Sequence, residues 1–311
     1  MQQTFNEKNR DLLININGEL IHRDQAGISP FDSLVQGGDG VWEGLRLYQG
    51  RIFKLTEHLD RLRSSALATS FESIPSHEDI TTEITRTLEG NGMFDGVHIR
   101  LTLSRGLKIT SGMDPRLNQA GPTLIVLAEH KPPVYDKAGV RLGTSSIRRF
   151  PPDCLDQKIH SNNLLQSIMA KIEANAAGVD DALMLDQRGF VAETNATHVF
   201  VVDGETVKTS RPVACPEGIT RETVLEICAA NGIAHCETDL SLTDVYRADE
   251  MFCTGTMGEL AAVVEVDGRE IGGGVENAPG PMTRRLSELF AARTAVEGTV
   301  VVTDPGDGGV V

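Results

Sequence analysis

The chain has 311 residues, 40% hydrophobic and 23% charged, which is room for one large domain or two medium ones around a substantial core. Its formal net charge of −15 sets it against nucleic acid, whose phosphates it would repel, and no run of 18 or more apolar residues reads as a membrane span. The five cysteines form no CxxC pair, and the opening "MQQTFNEKNRDLLI" has no apolar secretory core, so free thiols in a reducing cytoplasm are expected.

In chain order, "LLINING" and "ELIHRD" form a hairpin about Asn17-Gly18, and "VWEGLRLYQGRIFKL" repeats the form about Gln49-Gly50. "TEHLDRLRSSALAT" predicts a helix with Leu59, Leu62 and Ala66 on its inner face and Thr56 as N-cap. "DITTEITRTLEGNGM" is a second helix, stopped by Gly90 and Gly92. "VHIRLTLSRG" and "PTLIVLAEH" are strands. "KPPVYDKAG" is the expected domain boundary, because its two prolines exclude helix and disfavour a central strand. A strand "VRLGTSSIRR" follows, then a helix from about Asn162 to Ala177, with Leu164, Leu165, Ile168, Met169 and Ile172 as its buried stripe and Gly178 ending it. A meander comes next: "ALMLD", "GFVAETN", "HVFVVDG" and "TVKTS". "GITRETVLEICAANG" is a helix, "MFCTGTMGELAAVVEVDGREI" is strand, loop and strand, and "PMTRRLSELFAARTA" is the last helix. The tail from Gly298 is expected to be disordered.

Several stretches carry chemistry. In "LDQKIHSNNLL", Lys158 stands at the foot of a helix; it is either a surface lysine or a Schiff-base lysine, with Leu155, Ile159 and the helix supplying apolar surroundings that keep the amine neutral. In "CPEGITRETV", Gly218 precedes a helix whose first N–H groups, at Ile219 and Thr220, suit a phosphate as well as they suit an ordinary helix start. "CTGTMGEL" is a Gly/Thr loop, either a tight turn or an anion nest helped by Thr256. Glu193 stands in an apolar strand; it faces solvent, or it partners a protonated ring nitrogen. His58 and Arg61 lie one helical turn apart, and Arg61 either reaches a phosphate or is solvated. An amine, two amide nests, an arginine and a carboxylate together are what pyridoxal phosphate requires.

The order of "GDGVWEGLRLYQGRIFKLTEHLDRL", "LDQKIHSNNLL", "GFVAETNATHVFVV", "PEGITRETVLE" and "FCTGTMGEL" resembles the fold-type IV pyridoxal-phosphate enzymes over roughly residues 10 to 292. These are the branched-chain and D-amino-acid aminotransferases, R-selective amine transaminases and aminodeoxychorismate lyases. The resemblance implies an α+β protein: a small α/β domain (residues 1–130), an interdomain loop (131–138), and a larger domain built on a pseudo-β-barrel with flanking helices (139–297), leaving 298–311 as tail. It implies pyridoxal 5′-phosphate as cofactor and no metal. It implies Lys158 as the catalytic lysine, Glu193 at the ring nitrogen, and Arg61, Gly218, Ile219, Thr220 and Thr256 about the phosphate. Asn163, standing where branched-chain members carry a tyrosine, joins the cofactor set. Trp42, Arg100, Arg105 and Met257 are the expected substrate contacts, either arginine being a carboxylate ligand or a structural ion pair. Gly37, Gly38 and Asp39 resemble the D-amino-acid enzymes instead. The implied activity is amino transfer between an amino acid, hydrophobic or branched-chain by first expectation, and a 2-oxo acid, in a cytoplasmic homodimer. D-amino-acid or R-amine transamination, aminodeoxychorismate cleavage, and a non-enzymatic binding protein on the same fold are the alternatives.

Overall fold

The computed structural model describes residues 4–133, 135 and 139–304. The chain divides into two compact units. Of the described residues, the N-terminal unit contains 4–132, Ile159–Asn163 and 294–304, and the C-terminal unit contains 133, 135, 139–158 and Leu164–Arg293. The expected contiguous domains thus become interleaved: the five residues after Lys158 pack with the N-terminal unit. Of the expected interdomain loop, Val134, Asp136, Lys137 and Ala138 lie outside the described residues, as do residues 305–311 of the expected tail.

The N-terminal unit runs β1 (Leu13–Ile16), β2 (Glu19–His22), α1 (Ser33–Gly37), β3 (Gly40–Tyr48), β4 (Arg51–Ile52), α2 (Leu55–Ala68), α3 (His77–Gly90), β5 (Val97–Ser104) and β6 (Thr123–His130), and the end of the chain returns to it as β16 (Thr299–Val300). Its antiparallel sheet has seven strands in the order β16-β4-β3-β5-β6-β1-β2. Both hairpins turn where expected, with Asn17 and Gly18 at φ 50° and 85° and Gln49 and Gly50 at 44° and 77°. On β5, Val97, Ile99, Leu101 and Leu103 alternate into a core closed by α2 and α3. Helix α2 starts one residue before Thr56: Lys54 is its N-cap and no side chain caps it. Helix α3 starts on a Ser76–Asp79 capping box. The expected tail is partly ordered. β16 pairs with β4, and Val301 and Val302 enter the core, because this apolar run completes a sheet edge.

The C-terminal unit continues with β7 (Val140–Thr144), α4 (Pro152–Leu155), α5 (Leu165–Ala177), β8 (Asp181–Leu185), β9 (Val191–Thr194), β10 (His198–Asp203) and β11 (Thr206–Ser210). It is completed by α6 (Ile219–Ala230), β12 (His235–Thr238), α7 (Leu242–Tyr246), β13 (Glu250–Gly255), β14 (Glu259–Val266), β15 (Arg269–Glu270) and α8 (Pro281–Thr294), whose last residue is assigned to the N-terminal unit. Its sheet, ordered β12-β11-β10-β13-β14-β7-β8-β9 with β15 beside β14, curls into a half-barrel and mixes antiparallel with parallel pairs. The protein is therefore α+β, as expected. Helix α5 corrects two expectations. It begins at Leu165 rather than Asn162, and its buried residues are Ala170 and Ala174. Small side chains bring the helix close to β8, which turns the long ones outward: Leu165, Ile168, Met169 and Ile172 are exposed. Among the described residues no helix is long and apolar enough to cross a membrane.

Candidate active site

In the C-terminal unit, Lys158 follows α4 in a turn where its N–H is held by the Asp156 carboxylate at 3.0 Å. Its side chain is half exposed, and Nζ lies 3.7 Å from Glu217 Oε1. The apolar surroundings expected from Leu155 and Ile159 are not there. Leu155 is exposed, and Ile159 packs on the core of the N-terminal unit. Glu217 immediately precedes Gly218, the N-cap of α6, which brings lysine and helix start together. Among the described residues no side chain caps that start, so the first-turn N–H groups, including those of Ile219 and the buried Thr220, are available to an anion. Gly218 is required by packing: a Cβ there would collide with the His198 ring.

His198 leads to Glu193. Its Nδ1 is 3.9 Å from Glu193 Oε2, and on the other side Arg149 Nη2 is 3.0 Å from Glu193 Oε1. All three side chains are buried. Arg149 is fixed by donating to the Thr194 carbonyl and to Ser167 Oγ, both at 2.9 Å. Of the two expectations for Glu193, facing solvent is excluded by its burial, and the Arg149 guanidinium compensates the cost of that burial. The loop with Thr256 and Met257 joins β13 to β14. His198 pairs with Thr254, and Gly255 lies against Thr197, so the loop shares an end of the sheet with the β9–β10 turn. Tyr135 closes its far side, with its ring against Gly258.

The N-terminal unit holds the other site candidates. Arg61 is no solvated helix residue: Nε and Nη2 each donate to Glu43 at 2.7 Å. Trp42 lies between two cationic or aromatic planes, with His160 stacked at 4.2 Å and Arg100 over the ring at 3.4 Å, and its Nε1 donates to the Ser161 carbonyl. Burial pulls Arg100 down to about 10, leaving it charged at neutral pH. Beside it, burial first and then Lys131, Arg100 and Arg46 push His98 down to about 3. Arg105 is committed elsewhere: it donates to both Asp39 oxygens, at 2.6 and 3.0 Å, and to the carbonyls of Thr69 and Ser70. Its guanidinium is thus held in an ion pair within the N-terminal unit. Asn163 donates to the Gly38 carbonyl at 3.1 Å.

Sequence reasoning passed over Glu43, Arg149, His160 and His198. Glu43 carried a signal like that of Glu193, a single carboxylate in a mostly apolar strand, here shared with Arg46. Arg149 and His160 carried none, since the partners that give them meaning are far off in the chain.

A lysine at a helix N-terminus, linked through His198 to a buried carboxylate on a curled half-barrel sheet, belongs to the class IV aminotransferase fold. The family model described as amino-transferase class IV matches residues 40–266, and the chain belongs to that family. It is 52% identical over 297 residues to branched-chain-amino-acid aminotransferase-like protein 2 of Arabidopsis thaliana, covering 95% of this chain and 53% of that relative, so it spans about half the relative's length. It is 33% identical over 290 residues to the branched-chain-amino-acid aminotransferase of Pseudomonas aeruginosa, covering 90% of this chain and 92% of that one. The T.th. branched-chain amino acid aminotransferase, solved in complex with N-(5′-phosphopyridoxyl)-L-glutamate, superimposes with a TM-score of 0.84 at 31% identity, covering 92% of this chain and 94% of that one.

Proposed function

We propose that this protein is a pyridoxal-phosphate-dependent aminotransferase that moves an amino group from a hydrophobic or branched-chain amino acid to a 2-oxo acid. The observation that carries the reading is the linked series Lys158, Glu217, Gly218, His198 and Glu193 within one unit. The residues fit the cofactor's chemistry. The uncapped start of α6, with Thr220, and the loop bearing Thr256 suit a phosphate. Buried, guanidinium-compensated Glu193 suits a ring nitrogen. Pyridoxal phosphate, when bound, supplies the electron-withdrawing ring that stabilises negative charge on the substrate α-carbon. Lys158 anchors the cofactor and moves the proton at that carbon, and Glu193 holds a proton at the ring nitrogen. Arg61 adds charge for the phosphate. Trp42 forms an apolar wall, and Arg100 takes a carboxylate.

A homodimer in a reducing cytoplasm completes the reading. It is supported by the exposed apolar face of α5 and by five cysteines without a disulfide. The test is a half-reaction panel. The cofactor-loaded protein is mixed with L-amino acids, D-amino acids, R-1-phenylethylamine and aminodeoxychorismate, and the cofactor absorbance is followed. Fast loss with branched-chain L-amino acids is expected. Turnover confined to D-amino acids or the amine, or pyruvate release without amino transfer, contradicts the substrate assignment.

A further inference from the structure

Glu43 lies in the middle of β3, opposite Leu101 of β5, with its side chain fully buried. Four nitrogens converge on its carboxylate. Arg61 gives two N–H bonds of 2.7 Å, and His58 Nδ1 lies 2.7 Å from Oε2. His160 Nδ1 lies 3.3 Å from Oε1 while also 2.6 Å from the Trp42 carbonyl oxygen. A carboxylate offers about four lone-pair sites, so the set is complete. Burial pushes this carboxyl up, but the Arg61 and His160 contacts outweigh it and hold it well below the usual range. Stability alone does not call for such a group, because apolar residues of similar volume often stabilise a core as well as a buried ion pair does.

The two arms of the network have different destinations. One fixes the plane of the Arg61 guanidinium. The other reaches His160, two residues past Lys158, in a segment also held by the Ser65 hydroxyl on the His160 N–H and by the Trp42 N–H on the His160 carbonyl. We infer that Glu43 is a positioning residue for cofactor binding, orienting Arg61 toward a phosphate monoester and setting the register of the chain that follows Lys158. This rests on the reading of Arg61 as a phosphate ligand and Lys158 as the anchoring amine. Position and charge make opposite demands here. As a mere counter-charge, Glu43 would weaken phosphate binding, and its removal would strengthen it.

The experiment is a titration of apoprotein with pyridoxal phosphate, read by cofactor absorbance, for wild type, Glu43→Gln, Glu43→Asp, Arg61→Ala and the Glu43→Gln/Arg61→Ala double variant. Near-ultraviolet circular dichroism reports the fold of each. Glu43→Gln is expected to bind on the order of tenfold more weakly. Glu43→Asp, which keeps the charge but withdraws it by one methylene, is expected to weaken binding as well, and it decides the matter if the Gln variant does not fold. Adding Glu43→Gln to Arg61→Ala should weaken binding by less than Glu43→Gln does in the wild type, because the Arg61 arm is already lost and only the His160 arm remains to be broken. Wild-type or tighter binding by a folded Glu43 variant, with Arg61→Ala weakened, overturns the positioning role and leaves the phosphate reading standing. Unchanged binding by Arg61→Ala overturns both.

Discussion

Arg149 holds Glu193 from the side opposite His198: its Nη2 is 3.0 Å from Oε1, and both side chains are buried. Removing one member of a buried pair strands the other charge, at a cost of about 3 kcal/mol or more. Arg149→Met should therefore destabilise the apoprotein by that amount in urea denaturation. Adding Glu193→Gln to it should recover much of the loss. Glu193→Gln alone should still bind cofactor but turn over far more slowly, with the deficit in kcat rather than KM. A wild-type kcat would return Glu193 to a purely structural role with Arg149.

Arg100 and Arg105 should separate cleanly. Arg100 stacks on Trp42, whereas Arg105 is spent on Asp39 and two carbonyls. Arg100→Leu should raise KM for amino-acid substrates about tenfold or more, as loss of a charge-assisted contact does. Arg105→Leu should lower the melting temperature and leave KM within about twofold. Steady-state kinetics and thermal melts on both variants give the comparison. The reverse pattern would exchange their roles.

His98 predicts an acid sensitivity. Among the described residues its buried Nε2 has no hydrogen-bond partner, and its folded-state value of about 3 lies below the ordinary 6.5. The unfolded chain therefore binds the proton first. Stability is fully present above about pH 6.5 and falls as pH drops toward 3, by at most about 1.4 kcal/mol per unit for this one group. His98→Gln should flatten the stability profile between pH 6 and 5, a window chosen by the two values just given. His160 and His130 are also lowered, by burial first, and will keep part of the slope. An unchanged profile would mean that His98 is protonated in the folded state.

The α5 face predicts association. Ile168→Glu together with Met169→Glu places two charges on an exposed apolar surface and should halve the mass measured by sedimentation equilibrium, with little change in helix content. A monomeric wild type, or a dimer indifferent to the substitutions, would remove this face from the interface.

The same helix shows where sequence reading stops. Its large aliphatic residues repeat at helical spacing, which reads as a buried stripe, but the sheet is approached by Ala170 and Ala174. Periodicity locates two faces and does not say which of them a close helix–sheet approach selects. The hairpins were legible because Asn17-Gly18 and Gln49-Gly50 carry their turn geometry locally. Glu193 could be singled out because a carboxylate is unusual in an apolar strand, and the structure does bury it. Arg149 and His160 could not be, since the partners that give them meaning, Glu193 and Trp42, lie 44 and 118 residues away in the chain. The run after Gly298 looked like a tail because a strand of two residues is too short to show alternation.

The central claim is that Lys158 carries the cofactor, and borohydride reduction tests it most directly. Reducing the cofactor-loaded protein fixes the carbon–nitrogen bond, and peptide mapping by mass spectrometry then locates the added phosphopyridoxyl mass. The account predicts the label on the peptide containing Lys158, at one per chain, and its loss in Lys158→Ala. Label on any other lysine, or full labelling retained in Lys158→Ala, would contradict it.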